Sequence, residues 1–462
     1  MTQVAMKAHT EPDEIPSVTR LMAEFASKTR WQDLPAFVRE EAKRSFVNIV
    51  GTMFAGSQDK SIQTFVRTLE PLMGQRQSTM VGYDKPVDVA SAAFLNAASG
   101  NVLEFDDTDP ETLIHPSAII FGALLAIAEQ ENCSGQDILC AFAVGTEIDF
   151  RLGAALGPGH YERGWHITPT CGTVGAAAAL GNLLRFSTQE ISNAIGIAAT
   201  SASGLIENMS SSAKSVGVGN AARNALYAAL LARQGADAAD NSIEGPRGFF
   251  ALFSDDYDPS AAVTGLGQRW DICKNRAKPY AACLLLHPLV DAVLELRDNH
   301  GVKAEDLAEV VVRGHPLQLA VTDRMDVNTA REAKLSIQYT AAVAFVRGTS
   351  GVLDYLDGHL ADEKILSVQR LVKVEADRTI STGTGIARVK TKSGKALEST
   401  VEHGRGSLKR PLNDAEVSQK ATSLIAWAAP RLDAKALVDT LWTAEKAHGF
   451  RDFLAKLAIK AA

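Results

Sequence analysis

Cysteine is scarce in this sequence, and its scarcity argues against several kinds of site. The 462 residues contain five cysteines, Cys133, Cys140, Cys171, Cys273 and Cys283, with no C-x-x-C pair among them. An odd number of widely spaced cysteines argues against a disulfide framework and is typical of a reducing compartment. A zinc ribbon or an iron–sulfur dehydratase needs closely grouped thiolates. We therefore expect no metal centre in this protein.

Long apolar runs and basic stripes are also absent. The longest apolar run, around residues 119–128, is too short to span a bilayer, and residues 1–17 contain no apolar stretch typical of a secretory signal. Acids and bases are mixed along the chain and sum to a formal net charge of −7. This distribution predicts a soluble cytoplasmic protein without a nucleic-acid or membrane partner. A small acidic ligand would need a local group of cationic side chains.

Aromatic residues make up only 6% of the chain, and Ala, Leu, Val and Ile carry most of its apolar fraction of 46%. This composition favours closely packed helices, and the length indicates two domains. Helical periodicity recurs from residue 34 to about residue 265. Two pairs, Ser134 with Asp137 and Ser187 with Glu190, have the spacing of capping boxes that begin helices.

The pattern changes after about residue 270. Residues 308–315 and 371–377 are rich in β-branched residues and alternate like short strands, and a hairpin is predicted to turn at Ser393-Gly394. Helical periodicity returns in the last 55 or so residues. The sequence therefore predicts a mainly α fold with two domains. A large helical domain is expected from residues 1–268 and 405–462, and a smaller inserted α+β domain from residues 269–404.

A group of acids, a hydroxyl and an imidazole lies between two apolar helical segments, in residues 101–117. Its members are Glu104, Asp106, Asp107, Thr108, Asp109 and His115. One interpretation is a solvated loop whose acids cap the next helix. The other is a proton-transfer site, because such chemistry needs carboxylate, hydroxyl and imidazole groups close together.

Two further segments carry polar residues among glycines. In GPGHYERGWHITPTCG, His160 and His166 precede an alanine-rich helix, with the weaker case for His160. In SSSAKSVGVGNAAR, Lys214 stands in a loop before a helix expected to open at about Asn220, where exposed N–H groups could help to bind a carboxylate. A surface lysine is the alternative. No strand precedes the G-x-G at Gly217, which argues against a dinucleotide site.

The predicted α+β part contributes its own candidates. Lys278, Cys283 and His287 follow one another before a predicted helix, and Tyr339 lies in the helical segment AKLSIQYTAAVAF. Cys283 with one of the histidines suggests a thiol nucleophile, but no local cysteine-hydrolase signature accompanies it. Tyr339 is either a site residue or an ordinary core residue.

Taken in order, these segments resemble the MmgE/PrpD family nearly from end to end. The resemblance rests on FDDT followed by HPS, GHYERGWHITPTCG, Lys214 before GVGNAAR, KPYAACLLLH, SIQY and GRGSLKRPLNDAE. It implies a helical domain built from both chain ends, a smaller α+β lid, a homodimer, and no metal or organic cofactor. Family members include 2-methylcitrate dehydratase, cis-aconitate decarboxylase and iminodisuccinate epimerase.

The same resemblance implies which residues form the site. The catalytic candidates are His166, Glu104, Lys214 and Tyr339, and the substrate-binding candidates are Thr108, His115, Lys278 and Cys283. Cys283 occupies a position where related decarboxylases can carry a histidine. The sequence departs from the family pattern at Asn101, where a histidine is frequent, and at Glu104, where an aspartate is usual.

The resulting hypothesis is a lyase that moves a proton next to a carboxylate of a small di- or tricarboxylic acid, as a dehydratase or decarboxylase does. Lys214, Lys278 and His115 would bind carboxylates, and His166 or Glu104 would move the proton. Tyr339 would act on the opposite face of the substrate, in a cleft between the domains. An epimerase acting on a dicarboxylate such as iminodisuccinate, and an inactive dimeric binding protein, are the alternatives.

Overall fold

The computed structural model describes residues 17–458, apart from the side chain of Asp357. Residues 1–16, which the prediction about a secretory signal mainly concerned, lie outside the described part. The described chain is mainly helical and contains two small β-sheets. No helix within it combines the length and the apolar character needed to cross a membrane.

Twelve α-helices lie between residue 17 and residue 270. They are α1 (Val18–Lys28), α2 (Ala36–Gly56), α3 (Lys60–Leu69), α4 (Val89–Asn101), α5 (Pro116–Glu131), α6 (Gly135–Leu156), α7 (Pro158–Glu162), α8 (Ile167–Leu183), α9 (Thr188–Thr200), α10 (Ser212–Arg233), α11 (Phe249–Phe253) and α12 (Pro259–Val263). The later helices are α13 (His287–Asp298), α14 (Pro316–Thr322), α15 (Ala330–Ala333), α16 (Ile337–Arg347), α17 (Glu363–Gln369), α18 (Asp414–Ala428), α19 (Ala434–Leu441) and α20 (Arg451–Leu454).

The centre of the helical part is formed by α4, α5, α6, α8 and α10, which pack against one another. Every residue of α8 is buried, as expected for a helix that is apolar all round. A Cβ atom added to Gly145 in α6 would lie 2.6 Å from the Cβ of Ala179 and 2.7 Å from the carbonyl oxygen of Gly175, both in α8. These helices therefore meet backbone to backbone, which explains a core built with few aromatic residues.

The two predicted capping boxes are confirmed. The backbone N–H of Asp137 donates to the Ser134 hydroxyl at 3.2 Å where α6 begins, and the N–H of Glu190 donates to the Ser187 hydroxyl at 3.3 Å where α9 begins. Each side chain satisfies an N–H group that the first turn of a helix leaves without a partner.

The predicted start of α10 is wrong by eight residues, because the helix begins at Ser212 rather than at Asn220. Two glycines in the intervening segment lower its helix propensity, by about 1 kcal/mol each relative to alanine. Packing against α4 overrides that propensity. A Cβ atom on Gly219 would lie 2.7 Å from the Phe94 ring, so glycine allows α10 to approach α4 closely. Lys214 consequently lies in the first turn of α10 and not in a loop.

The six strands form two sheets. They are β1 (Asp107–Thr108), β2 (Arg276–Ala277), β3 (Leu307–Gly314), β4 (Val372–Ala376), β5 (Gly385–Thr391) and β6 (Ala396–Val401). The larger sheet has the order β4-β3-β5-β6, in which β4 pairs parallel to β3 and the other neighbours are antiparallel. The predicted strands and the hairpin between β5 and β6 are confirmed. Helix α13 packs on β5 and β6.

The C-terminal helices pack against helices of the N-terminal half of the chain. Helix α18 packs on α2, α19 packs on α18, and α20 packs on α5. The small sheet was not predicted. Its strands pair antiparallel, with Asp107 opposite Ala277 and Thr108 opposite Arg276, and they join the acidic loop after α4 to the segment that leads toward the larger sheet.

Candidate active site

The candidate site begins with a strained turn after α4. Glu104 has a φ of 56°, in the left-handed region that non-glycine residues seldom adopt. Its backbone N–H donates to the carbonyl of Asn101 at 3.1 Å, which closes the turn. Strain of this kind persists where surrounding contacts hold a residue in place and is frequent at functional sites. Glu104 is held in this conformation by the contacts of its carboxylate.

Two buried lysines from distant segments meet at that carboxylate. The Lys214 ammonium, from the first turn of α10, forms an ion pair with Oε1 of Glu104. The Lys278 ammonium lies 3.5 Å from Oε2 of Glu104 and 3.6 Å from Oδ1 of Asp106. Lys214 and Lys278 are 4% and 2% exposed, so both positive charges are almost wholly removed from water. We call these four residues the ion cluster.

The pKa shifts of Glu104, Asp106 and Lys278 show that these three groups are held in their charged forms. Burial by itself would raise the pKa of Glu104, but the charges of Lys214, Lys278 and His115 outweigh it and hold that pKa well below its usual range. The pKa of Asp106 falls to about 2 for the same reason, with burial outweighed by His115 and Lys278. Burial lowers the pKa of Lys278, but the carboxylates of Asp106 and Glu104 raise it by more, so the net change is a rise. The charges are therefore mutually stabilised.

The small sheet explains how Lys278 reaches the ion cluster. Lys278 directly follows β2, and its backbone N–H donates to the carbonyl of Asp106 at 3.3 Å, which continues the strand pairing by one residue. Thr108 lies in β1 and is buried, and its hydroxyl donates to the carbonyl of Asp109 at 3.3 Å. Thr108 is thus beside the ion cluster in the chain, with its hydroxyl engaged by the backbone.

His115 lies against the ion cluster immediately before α5. Its Nδ1 is 2.9 Å from the carbonyl oxygen of Asp107 and 3.3 Å from Oδ1 of Asp106. Both neighbours are acceptors at neutral pH, so Nδ1 carries a hydrogen. Nε2 is then the ring nitrogen that remains to gain or lose a proton. The ring is thereby oriented and its tautomer fixed.

His166 immediately precedes α8 and is 3% exposed. Its backbone N–H donates to the carbonyl of Gly204 at 3.2 Å. Burial, followed by the positive charges of Lys214 and His115, holds the pKa of His166 well below its usual range. The imidazole is therefore uncharged at neutral pH. The first turn of α8 contacts the site directly, because the His115 backbone N–H donates to the hydroxyl of Thr168, two residues after His166, at 3.2 Å.

His160, the weaker candidate of that segment, has a structural environment. Its Nδ1 lies 3.0 Å from the carbonyl oxygen of Phe253 and its Nε2 lies 2.8 Å from the Thr170 hydroxyl. Its ring is also stacked on Trp165. With both ring nitrogens bonded, His160 ties α7 to α8 and α11.

Cys283 lies close enough to the site for the charges of Lys278, Glu104 and Lys214 to act on its thiol. Burial nevertheless raises the pKa of Cys283. A thiol is a weak nucleophile until it loses its proton, so this environment does not favour the thiol-nucleophile hypothesis. The Cys283 backbone N–H donates to the carbonyl of Lys334 at 3.0 Å.

Tyr339 is not brought to the ion cluster. Its hydroxyl donates to the carbonyl of His359 at 3.1 Å, and burial, with the nearby charge of Asp362, raises its pKa to about 12. The charged groups that act on this phenol are Asp362, Arg347 and Asp354, none of which belongs to the site. The geometry matches the core interpretation of Tyr339.

Lys334 is a cation at the site that the sequence did not predict. The Lys334 ammonium is buried and donates to the carbonyl of Leu103 at 2.9 Å, beside the Glu104 turn. Burial lowers the pKa of Lys334 to about 8, although Glu104 acts to raise it. Lys334 lies five residues before Tyr339, in the same segment AKLSIQYTAAVAF. No periodic pattern distinguishes it from a surface lysine.

A cavity of about 430 Å³ lies beside residues that neighbour the site in the sequence, although no residue of the ion cluster lines it. It is lined by Asp109, Tyr161 and Ile167 from the helical part and by Leu317 from α14. Ile167 is the neighbour of His166, and burial, with the charge of Glu104, raises the pKa of the Tyr161 phenol. A cavity of this size can admit a small organic acid. Within residues 17–458, no group of three or more His, Cys, Asp or Glu side chains is arranged to hold a metal ion.

The protein combines a mainly helical fold with a group of lysine, carboxylate and imidazole side chains. These two features define a class of enzyme-like helical proteins with a site for an anionic ligand. Residues 20–262 match the MmgE/PrpD N-terminal domain and residues 280–444 match the MmgE/PrpD C-terminal domain. The chain therefore belongs to the MmgE/PrpD family, and the resemblance inferred from its motifs is confirmed.

The similar curated proteins are named cis-aconitate decarboxylase or cis-aconitate decarboxylase-like. The chain is 29% identical over 300 residues to the cis-aconitate decarboxylase-like protein oryM of Aspergillus oryzae, a match that spans 62% of each chain. It is 26% identical over 436 residues to the cis-aconitate decarboxylase of Aspergillus terreus, spanning 88% of this chain and 89% of the relative. It is 24% identical over 411 residues to human cis-aconitate decarboxylase, spanning 84% and 85%.

Proposed function

We propose that this protein is a lyase that removes carbon dioxide from a small tricarboxylic acid resembling cis-aconitate. The observation that carries the proposal is the ion cluster, in which the buried ammonium groups of Lys214 and Lys278 meet at the largely buried carboxylate of Glu104. Ammonium groups fixed at a buried carboxylate are what a site for an anionic substrate requires. The names of the similar proteins favour decarboxylation over the other reactions expected of the family.

The Glu104 carboxylate marks the position that a substrate carboxylate takes in this proposal. Without a ligand, the two negative charges of Glu104 and Asp106 balance the two positive charges of Lys214 and Lys278. An incoming carboxylate therefore exchanges with Glu104 as the partner of a lysine. The left-handed turn at Glu104 is suited to this role, because releasing the side chain also allows a strained backbone to relax.

The lysines stabilise the charge that develops in the reaction. In a cis-aconitate-like acid, the bond between the methylene carbon and its carboxylate breaks and carbon dioxide leaves. The electron pair moves through the double bond onto the remaining conjugated carboxylate, and a proton then joins the carbon next to that carboxylate. Lys214 and Lys278 stabilise this intermediate because their charges are already in place and need no reorganisation.

We assign the proton transfer to the two histidines. Nδ1 of His115 is engaged by the Asp107 carbonyl, so Nε2 is the nitrogen that exchanges a proton with the substrate. Asp106, 3.3 Å from Nδ1, is placed to stabilise the ring when it carries a second proton. His166 is uncharged and serves as an acceptor or as a hydrogen-bonding partner.

We further propose that residues 269–404 form a smaller α+β domain that covers the site. Lys278 and Lys334 belong to this segment, whereas Glu104 and Lys214 belong to the helical part, so the site lies where the two meet. Closure of such a cleft excludes water and strengthens electrostatic interactions. A homodimer is proposed from the family resemblance, and light scattering during size-exclusion chromatography measures it.

Turnover followed by NMR tests the proposed reaction. The protein is incubated in deuterium oxide, with a chelator and without added metal, with cis-aconitate, citrate, 2-methylcitrate or iminodisuccinate. We expect loss of carbon dioxide from cis-aconitate and one deuterium at the carbon that is protonated. Lys214→Met should abolish turnover. Lys435→Met is the matched control, since the Lys435 side chain is 82% exposed in α19.

Other results of the same experiment would replace the proposal. Formation or loss of water across a double bond would identify a dehydratase. Deuterium exchange in iminodisuccinate, with change of configuration and no loss of carbon, would identify an epimerase. Absence of turnover with all four acids, together with an unchanged melting temperature on adding them, would refute the proposed function and favour a binding protein or another substrate class.

A further inference from the structure

A lysine near the C-terminus reaches the candidate site from a third direction. Lys420 lies in α18, which packs on α2. Its ammonium donates to the carbonyl of Phe105 at 2.6 Å and to the carbonyl of Lys278 at 2.9 Å. It also lies 3.8 Å from the centroid of the Phe105 ring. One side chain thus joins two segments that are more than 170 residues apart in the sequence.

The two carbonyls belong to the backbone of the ion cluster. Phe105 separates Glu104 from Asp106, and Lys278 supplies the ammonium that lies 3.5 and 3.6 Å from their carboxylates. The same two segments are joined by the bond from the Lys278 N–H to the Asp106 carbonyl. Lys420 therefore fixes the spacing between the loop with the carboxylates and the residue with the ammonium.

The side chain bonds of Lys420 are to backbone carbonyls rather than to a carboxylate. Burial lowers the pKa of Lys420 to about 7, against the raising effect of Asp107 and Asp106. A lysine that serves only solubility would keep its ammonium in water. Lys420 is partly exposed, but its ammonium lies against an aromatic ring and donates to two carbonyls, so it is tied to these partners.

We propose that Lys420 is a positioning residue for the ion cluster, holding the backbone at Phe105 and at Lys278 so that the Lys278 ammonium faces the carboxylate site. It acts through Lys278 and touches no substrate. The catalytic consequence rests on the proposed function, whereas the structural consequence does not. The two can therefore be measured separately.

Hydrogen–deuterium exchange measures the structural consequence without any substrate. Lys420→Met keeps the aliphatic stem and removes the donors. It should accelerate amide exchange at least about fivefold in peptides covering residues 104–108 and 276–278. Lys420→Arg, which keeps donors, should change the exchange less, and the exposed control Lys435→Met should leave it unchanged. Unchanged exchange in both peptides of Lys420→Met would overturn the proposal.

Kinetics with cis-aconitate measure the catalytic consequence. Lys420→Met should lower kcat/KM at least tenfold, and adding Lys278→Met should then cost much less than Lys278→Met does in the wild-type protein. A purely structural lysine predicts multiplicative losses, and that result would contradict the positioning role. If the wild-type protein turns over none of the acids, the proposed function fails while the exchange measurement still decides the role of Lys420.

Discussion

Removing the Lys278 ammonium is the most direct perturbation of the buried charges. Lys278→Met leaves Glu104 and Asp106 in their buried positions without the cation that lies 3.5 and 3.6 Å from them. A pair of unit charges at 3.5 Å interacts by about 5 kcal/mol at an effective dielectric constant of 20. Loss of one partner of a buried pair costs about 3–5 kcal/mol in measured cases. We expect a loss of unfolding free energy in that range at neutral pH.

A double-mutant cycle isolates the interaction from the general effect of changing a buried residue. Lys278→Met, Glu104→Gln and the double variant are unfolded in denaturant and followed by tryptophan fluorescence. The double variant should be more stable than the sum of the single losses predicts, by at least about 1.5 kcal/mol. The exposed pair of Lys435 and Asp439, 3.3 Å apart, is the matched control and should show a coupling below about 1 kcal/mol.

The reasoning is refuted if the coupling at the buried pair is no larger than that of the exposed pair. Such a result would mean that water or movement of the chain screens the Lys278 charge. The protein would then have no preorganised cation at this position to bind a substrate carboxylate. A large loss in each single variant without coupling would indicate a packing effect instead.

Three further predictions follow from the same structure. The pKa values of Glu104 and Asp106 are lowered in the folded protein, so their contribution to stability is present at neutral pH and is lost as the pH falls from the ordinary carboxyl range toward about 2. The melting temperature should therefore fall more steeply in acid for the wild-type protein than for Glu104→Gln, and parallel curves would contradict the lowered pKa values. Cys283→Ser should keep turnover near that of the wild type, because burial raises the pKa of the thiol; abolished turnover with a native melting temperature would revive the thiol-nucleophile hypothesis. Tyr339→Phe removes one hydrogen bond to the His359 carbonyl. It should cost about 1 kcal/mol of stability and little turnover, whereas a large loss of kcat in a folded protein would return Tyr339 to the site.

Local sequence patterns predicted much of the secondary structure. The hydroxyl–carboxylate spacings at Ser134 and Ser187 predicted where α6 and α9 begin, because a capping box satisfies N–H groups of the first turn. Alternating β-branched residues predicted β3 and β4. These features depend on neighbours in the sequence.

Features that depend on distant packing were not predictable from the same patterns. The segment from Ser212 to Gly219 has low helix propensity, yet it is helical because Gly219 packs against Phe94 of α4. Strand β1 has only two residues, and its partner β2 lies more than 160 residues later. No local spacing reports such a pairing.

Some residues of the candidate site were predictable from the sequence and others were not. Motif order indicated Glu104, Lys214, Lys278, His115 and His166, which the structure brings to one place. Lys334 and Lys420 were not predicted, because their partners are backbone carbonyls in remote segments and such contacts leave no local signature in the sequence. The position of Tyr339 in a matching motif did not determine where its hydroxyl would point.

Binding of an unreactive tricarboxylate tests most directly whether the ion cluster is the carboxylate site. Tricarballylate, the saturated analogue of cis-aconitate, lacks the double bond needed for the proposed reaction, and calorimetry measures its affinity at neutral pH. We predict saturable binding to the wild-type protein and at least about 30-fold weaker binding to both Lys214→Met and Lys278→Met, with Lys435→Met unchanged. Equal affinity in all four proteins, or no binding to the wild type, would contradict the assignment of the ion cluster as the substrate site.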